Sequence, residues 1–177
     1  MQQPDHLIRR GELPAASQPG LRLARPEDDR LFFGRVGWVQ LREGLSLHWS
    51  DYQELQDFVA ENPVQPRLSF VLFLDGQSEV SYGDLALSFG QADRRQRPQG
   101  VALAMTEPVL FRRQARRGRH IRKLVVSLAP EWFDNAGAEA GSAVRRFLQS
   151  HLAPRVWQPS ARLLTLAEQM LSPTGYD

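Results

Sequence analysis

Residues 68–74 read Leu-Ser-Phe-Val-Leu-Phe-Leu, and no other stretch constrains the fold as strongly. In an extended chain, successive side chains point to opposite faces. Leu68, Phe70, Leu72 and Leu74 then share one face, and Val71 and Phe73 share the other. Both faces are apolar, so the strand must be covered on both sides. That requirement predicts a layered or closed β fold rather than a sheet with one wet face.

The surrounding sequence repeats the signal in shorter units. Val36 and Trp38 share a face, as do Leu45, Leu47 and Trp49, and residues 57–61 predict a strand ended by Asn62 and Pro63. Val80 and Tyr82 follow, then Leu85, Leu87 and Phe89, then Val101, Leu103 and Met105, then Val109 and Phe111, and last Leu124, Val126 and Leu128. Asp75-Gly76 and Gly83-Asp84 predict hairpin turns, because glycine takes positive φ without strain. Gly90 to Gly100 is a polar loop with Arg94, Arg95 and Arg97, and Glu107-Pro108 breaks another strand. The pattern predicts a mainly β protein: about eight strands over residues 31–129, meander-connected, forming a barrel.

The two ends differ from this body. In residues 1–30, Pro4, Gly11, Pro14, Pro19, Gly20 and Pro26 interrupt every element, which predicts a flexible leader or an arm lying across the barrel. Residues 130–177 switch to helical spacing. Pro130 suits the first turn of a short helix through Trp132 and Phe133. Val144, Phe147, Leu148 and Leu152 make one apolar stripe, ended by Pro154. Leu163, Leu164, Ala167, Met170 and Leu171 make another, begun near Pro159 and stopped by Ser172-Pro173.

Composition narrows the chemistry. The 177 residues contain no cysteine, which removes disulfides, thiolate metal sites and cysteine nucleophiles and fits a reducing cytosol. No apolar run is long enough to span a membrane, and the polar start is unlike a secretory signal. Lys123 is the only lysine among 22 basic residues; with 20 acidic ones the net charge is +2, so there is no overall nucleic-acid signature. There is no dinucleotide fingerprint, Walker A loop or nucleophile elbow. His6, His48, His120 and His151 are scattered. Alternation against Leu47 and Trp49 turns His48 away from the interior, and His120 sits among arginines. No cofactor and no metal is expected, and no residue supports an enzyme.

Three constellations remain. Trp49, Phe70, Leu72 and Tyr82, with Phe89, Met105 and Phe111, are large side chains on expected inward faces. Barrels of this size either fill with such side chains or hold one small ligand; they are the candidate ligand residues. The basic run Arg112, Arg113, Arg116, Arg117, Arg119, Arg122 and Lys123 is either a solvated hairpin or a surface for an anion or phosphate. The helical stripes pack on the barrel, on each other or on a second subunit. Phe147, Leu148, Leu163, Leu164, Ala167, Met170 and Leu171 are the candidate dimer contacts.

The order of these features resembles the N-terminal half of AraC-type bacterial transcription regulators, in particular the branch like the siderophore-responsive PchR regulator. The resemblance spans about residues 30 to 172. It is carried by Gly44-Leu-Ser-Leu-His-Trp49, by Leu68 through Gly76, by Arg122-Lys-Leu-Val-Val-Ser-Leu-Ala-Pro-Glu-Trp132 and by Trp157-Gln-Pro-Ser160 before a leucine-rich helix. It implies a cupin-like barrel that binds a small-molecule effector, a siderophore or another metabolite, followed by helices that form a homodimer. DNA would be read by a helix-turn-helix domain further along, absent from these residues. The histidine pair and glutamate of metal-binding cupins are missing. Two alternatives stay open: a stand-alone metal-dependent cupin enzyme, and a nucleic-acid binder through residues 112–123.

Overall fold

A computed structural model describes residues 4–91, 96–135 and 146–172. The protein is mainly β, as its sequence predicts, with two facing antiparallel sheets and helices toward the C-terminus. The larger sheet runs β1 (His6–Arg9), β3 (Arg30–Arg42), β4 (Leu45–Glu54), β11 (His120–Leu128), β6 (Arg67–Asp75), β9 (Gly100–Met105) and β12 (Arg155–Trp157). The smaller runs β2 (Leu21–Leu23), β5 (Phe58–Val64), β10 (Val109–Ala115), β7 (Gln77–Tyr82) and β8 (Leu85–Gly90). Among the described residues there are therefore twelve strands, not eight, and two separate hydrogen-bonded sheets rather than one closed cylinder. The strands with no counterpart in the alternation, β1, β2 and β12, are three or four residues long and lie where proline and glycine blur it.

The connections are interleaved rather than a meander. Only β3–β4 and β7–β8 are both consecutive in sequence and paired. From β4 to β7 each strand lies in the sheet opposite the one before it, so the two sheets build together, as in a double-sheet jelly roll. Asp75-Gly76 illustrates the difference. It is not a hairpin turn, because β6 and β7 belong to different sheets; it is the bend at which the chain crosses over. Gly76 has φ +83°, and a Cβ there would lie 2.0 Å from the His120 carbonyl oxygen. Only glycine fits that bend. β5 also runs through Pro63 instead of ending before it. Its neighbour β2 covers only Phe58 to Ala60, so Pro63 sits where β5 is an edge and its missing N–H interrupts no ladder.

The main core lies between the sheets. Leu31, Phe73, Leu103 and Ile121 are fully buried there, with Val71, Tyr82, Phe89 and Met105 around them. A second cluster lies on the outer face of the larger sheet. Leu47, Leu72 and Leu124 pack there against Ala167 and Leu171 of the last helix, Ala161–Leu171, and Trp49 and Leu164 flank them. Ser160 caps that helix by accepting from the Leu163 N–H at 3.2 Å. β6 is thus apolar on both faces because one face meets the interior and the other supports the helix.

Candidate functional site

The leader is built into the fold. β1 pairs with the first half of β3, β2 pairs with β5, and two 3-10 turns, Arg10–Glu12 and Ala15–Ser17, run between them. This segment walls one side of a cavity of about 700 Å³ between the sheets. His6, Ile8, Leu13 and Leu21 come from the leader, Val36 and Trp38 from β3, and Phe58, Ala60 and Asn62 from β5. Trp38 is 62% exposed and marks where the cavity meets solvent.

The inner wall carries a polar group of residues. His48, Ser50 and Tyr52 alternate along β4, and Lys123 of β11 and Arg113 of β10 complete the lining. Arg113 is 8% exposed and pairs with Glu54, which is 1% exposed and also accepts from the Arg116 N–H at 2.6 Å. The rings of Phe32, Tyr52 and Phe58 lie 5.6, 5.7 and 5.6 Å from the guanidinium carbon. Charge pairing and three ring faces together hold that buried cation in place. Lys123 differs. Its nearest ring is Phe73, 5.7 Å from Nζ, and no ion pair to it occurs among the described residues. Removal from water, and then the charge of Arg113, bring its amine down to about 7. The same loss of water, with Lys123 and Arg113 adding to it, brings His48 down to about 3, so its ring is neutral near neutral pH. Burial pushes the Tyr52 phenol up. Two lining atoms, Asn62 Oδ1 and Arg113 Nε, are buried with no hydrogen-bond partner.

The residues singled out from sequence divide between several places. Phe111 lines this cavity. Tyr82, Phe89 and Met105 lie in the core between the sheets but outside the cavity wall, with the Tyr82 and Phe111 rings 5.0 Å apart. Trp49, Phe70 and Leu72 face the other way. Trp49 lies across Gly37 on the outer face, where a Cβ would be 2.0 Å from its ring, and Leu72 sits under the last helix. His48 is the mirror of that error: alternation correctly sets it opposite Trp49, but the interior is on its side. Parity groups residues by face; it does not say which face is inside. Of the helical residues, Leu164, Ala167 and Leu171 turn toward their own sheet, while Leu163 and Met170 point to solvent with Leu166. Leu148 lines a separate cleft of about 340 Å³ with Phe133 and Met105, and Phe147 is half-buried nearby in sequence. Val144, Arg94 and Arg95 lie outside the described residues.

The basic run is largely used within the chain. Arg112 approaches Glu61 at 3.7 Å, Arg116 approaches Asp57 at 3.9 Å, and Arg119 approaches Glu79 at 3.7 Å. Arg122 contacts Asp51 at 3.2 Å and Glu168 of the last helix at 2.5 Å. His120 is not isolated among cations; it sits between Asp51 at 3.0 Å and Asp75 at 2.9 Å. Among the described residues, no group of three or more His, Cys, Asp or Glu side chains is arranged to hold a metal ion. No helix among them is long and apolar enough to cross a membrane.

A two-sheet β domain holding a mainly apolar cavity with a polar group on its inner wall, and a helix laid on one outer face, is the class these features define. Residues 33–177 match the family described as the regulatory protein PchR N-terminal domain, and the chain belongs to that family. No curated protein matches the chain. Among solved structures it is similar to a cupin 2 conserved barrel domain protein from Rhodopseudomonas palustris, at 11% identity over 82% of this chain and 90% of that one, with a TM-score of 0.28.

Proposed function

We propose that this chain is the effector-sensing and dimerisation part of an AraC-type transcription regulator in the cytoplasm, and that it acts by binding rather than catalysis. A small molecule enters the cavity past Trp38 and contacts the inner wall of β4, β10 and β11. The observation that carries this reading is the cavity itself, whose wall includes polar atoms that no neighbouring side chain satisfies. Buried polar groups normally find partners.

Transmission follows from the shared strands. β11 sends Lys123 inward and the adjacent Arg122 outward to Glu168 on the last helix. Arg35 of β3 donates to the Leu171 carbonyl at 3.0 Å, tying the end of that helix to the same sheet. A ligand that binds one arrangement of these strands better than another shifts the helix with them. The exposed stripe Leu163, Leu166 and Met170 pairs with a second copy, and a DNA-binding domain beyond these residues reads the change.

A thermal-shift screen of iron chelates and small aromatics tests the sensing step. Binding to the folded state raises the melting temperature by several degrees for a ligand at about 100 times its Kd. The Ser50→Phe variant, which fills the cavity, should keep the fold and lose the response. A response unchanged in that variant, or none across the screen, contradicts the reading. In light scattering, Met170→Asp should convert a dimer to a monomer; a dimer that persists removes this interface.

A further inference from the structure

We infer that the cavity is built for an organic anion with an aromatic or apolar body, whose charged group, a carboxylate, sulfonate or phenolate, is received by Lys123. The inference deepens the reading of the cavity as the effector site and rests on it.

The charge pattern around the cavity is selective. Every other charged group in its wall has a match. Arg113 is paired with Glu54 and faced by three rings. In the leader, His6 and Glu12 approach each other at 3.8 Å. Arg122, next in sequence to Lys123, turns to the outer face and pairs with Asp51 and Glu168. Lys123 alone has only a ring for company: from β4 it is faced by His48, Ser50 and Tyr52, from β6 by Phe73, and from β10 by Arg113. When Lys123 is protonated, the inner wall carries one positive charge that no acidic group matches. An enclosed charge with no partner is costly, and the same enclosure strengthens its attraction to an anion.

The residue type points the same way. Lys123 is the chain's only lysine, while every other basic position is arginine. An arginine stays charged whatever surrounds it, whereas a lysine amine gives up its proton when enclosed and takes one back when an anion arrives. Lysine at this one position therefore lets the empty cavity stay neutral and the filled one hold an ion pair. Asn62 Oδ1 and Arg113 Nε, both in residues of the cavity wall, are buried without hydrogen-bond partners. A volume of about 700 Å³ suits a ligand of two or three rings.

Two fluorescent probes separate charge from shape: 1-anilinonaphthalene-8-sulfonate and N-phenyl-1-naphthylamine, the same ring system without the sulfonate. With the full chain, the sulfonate probe should bind about tenfold or more tighter than the neutral one, a difference that Lys123→Met should abolish by weakening the sulfonate alone. In the unaltered chain, sulfonate affinity should fall about tenfold or more between about pH 7.5 and 9.5, while the neutral probe holds steady. The sulfonate keeps its charge throughout. That window lies above the lowered His48 and below the raised Tyr52; the other charged groups facing the cavity are His6, Glu12 and the Arg113–Glu54 pair. If Lys123→Met does not fold, the pH series decides. Equal binding of both probes, indifferent to pH and to Lys123→Met but lost in Ser50→Phe, overturns the anion inference and leaves the cavity reading standing. Binding that survives Ser50→Phe, or no binding of either probe, overturns both.

Discussion

The two faces of the larger sheet are made from the same strands and are finished in opposite ways. On the outer face, β4, β6 and β11 present Leu47, Leu72 and Leu124 to a helix that covers them, and the charged groups beside them pair: Arg122 with Asp51 and Glu168, and His120 with Asp51 and Asp75. On the inner face, the same β4 and β11 present His48, Ser50, Tyr52 and Lys123 to a cavity, where Lys123 has no ion-pair partner among the described residues and the facing β5 and β10 hold the unpartnered Asn62 Oδ1 and Arg113 Nε. A surface built only for stability closes its contacts. One that also holds a ligand leaves some of them open, at a cost to the empty state. The comparison separates positions where substitution changes folding from positions where it changes binding.

The largest expected effect comes from breaking the buried ion pair at the cavity wall. Glu54→Gln leaves Arg113 buried without its partner and should lower stability by about 4 kcal/mol in urea unfolding. On the outer face, Leu171→Ala removes a fully buried side chain under the helix and should cost about 3 kcal/mol, with ligand affinity changed less than stability. If Leu171→Ala instead left stability intact, the helix would not be part of the packed body.

Lys123→Met should act in the opposite direction and stabilise the empty protein, by about 2 kcal/mol at pH 6. The sign follows from the proton count. The folded amine titrates near 7, below its ordinary 10.5. Between those values the unfolded chain holds a proton that the folded chain does not, so the native protein gains stability from this group as pH rises. Below about pH 7 both states are protonated and the burial penalty is complete. The advantage of Lys123→Met is therefore greatest below pH 7 and shrinks above it; an advantage that grew with pH would contradict the placement of Lys123. The smallest effect is expected at the exposed stripe: Met170→Ser should change the stability of the isolated protomer by no more than about 0.5 kcal/mol.

Much of this architecture was legible in the sequence, and the limits have physical causes. Alternation identified β6 as covered on both faces, separated the β body from the helical end and grouped Leu103 with Met105, because period-two burial is a local property. It did not reveal which parity faces inward, so Trp49, Phe70 and Leu72 were expected in the cavity and His48 outside it. That sense is fixed by the last helix covering the outer face, a contact between segments more than 80 residues apart in the case of β6. Nor did it find the wall formed by the leader, whose prolines and glycines suppress any periodic signal even though His6–Arg9 pairs with β3. The single lysine was visible from the start. Its meaning depended on β11 turning Lys123 inward beside Arg113, which composition alone does not convey.

The most direct test uses that single lysine. Reductive methylation with ¹³C-formaldehyde labels only Lys123 and the chain's amino terminus, so one side-chain resonance reports the group in an NMR pH titration. A midpoint near 7 is expected in the free protein, moving upward by about two units when 1-anilinonaphthalene-8-sulfonate is bound. A midpoint at the ordinary lysine value, unmoved by the probe, would show that Lys123 faces solvent and that the inner face is not built around it.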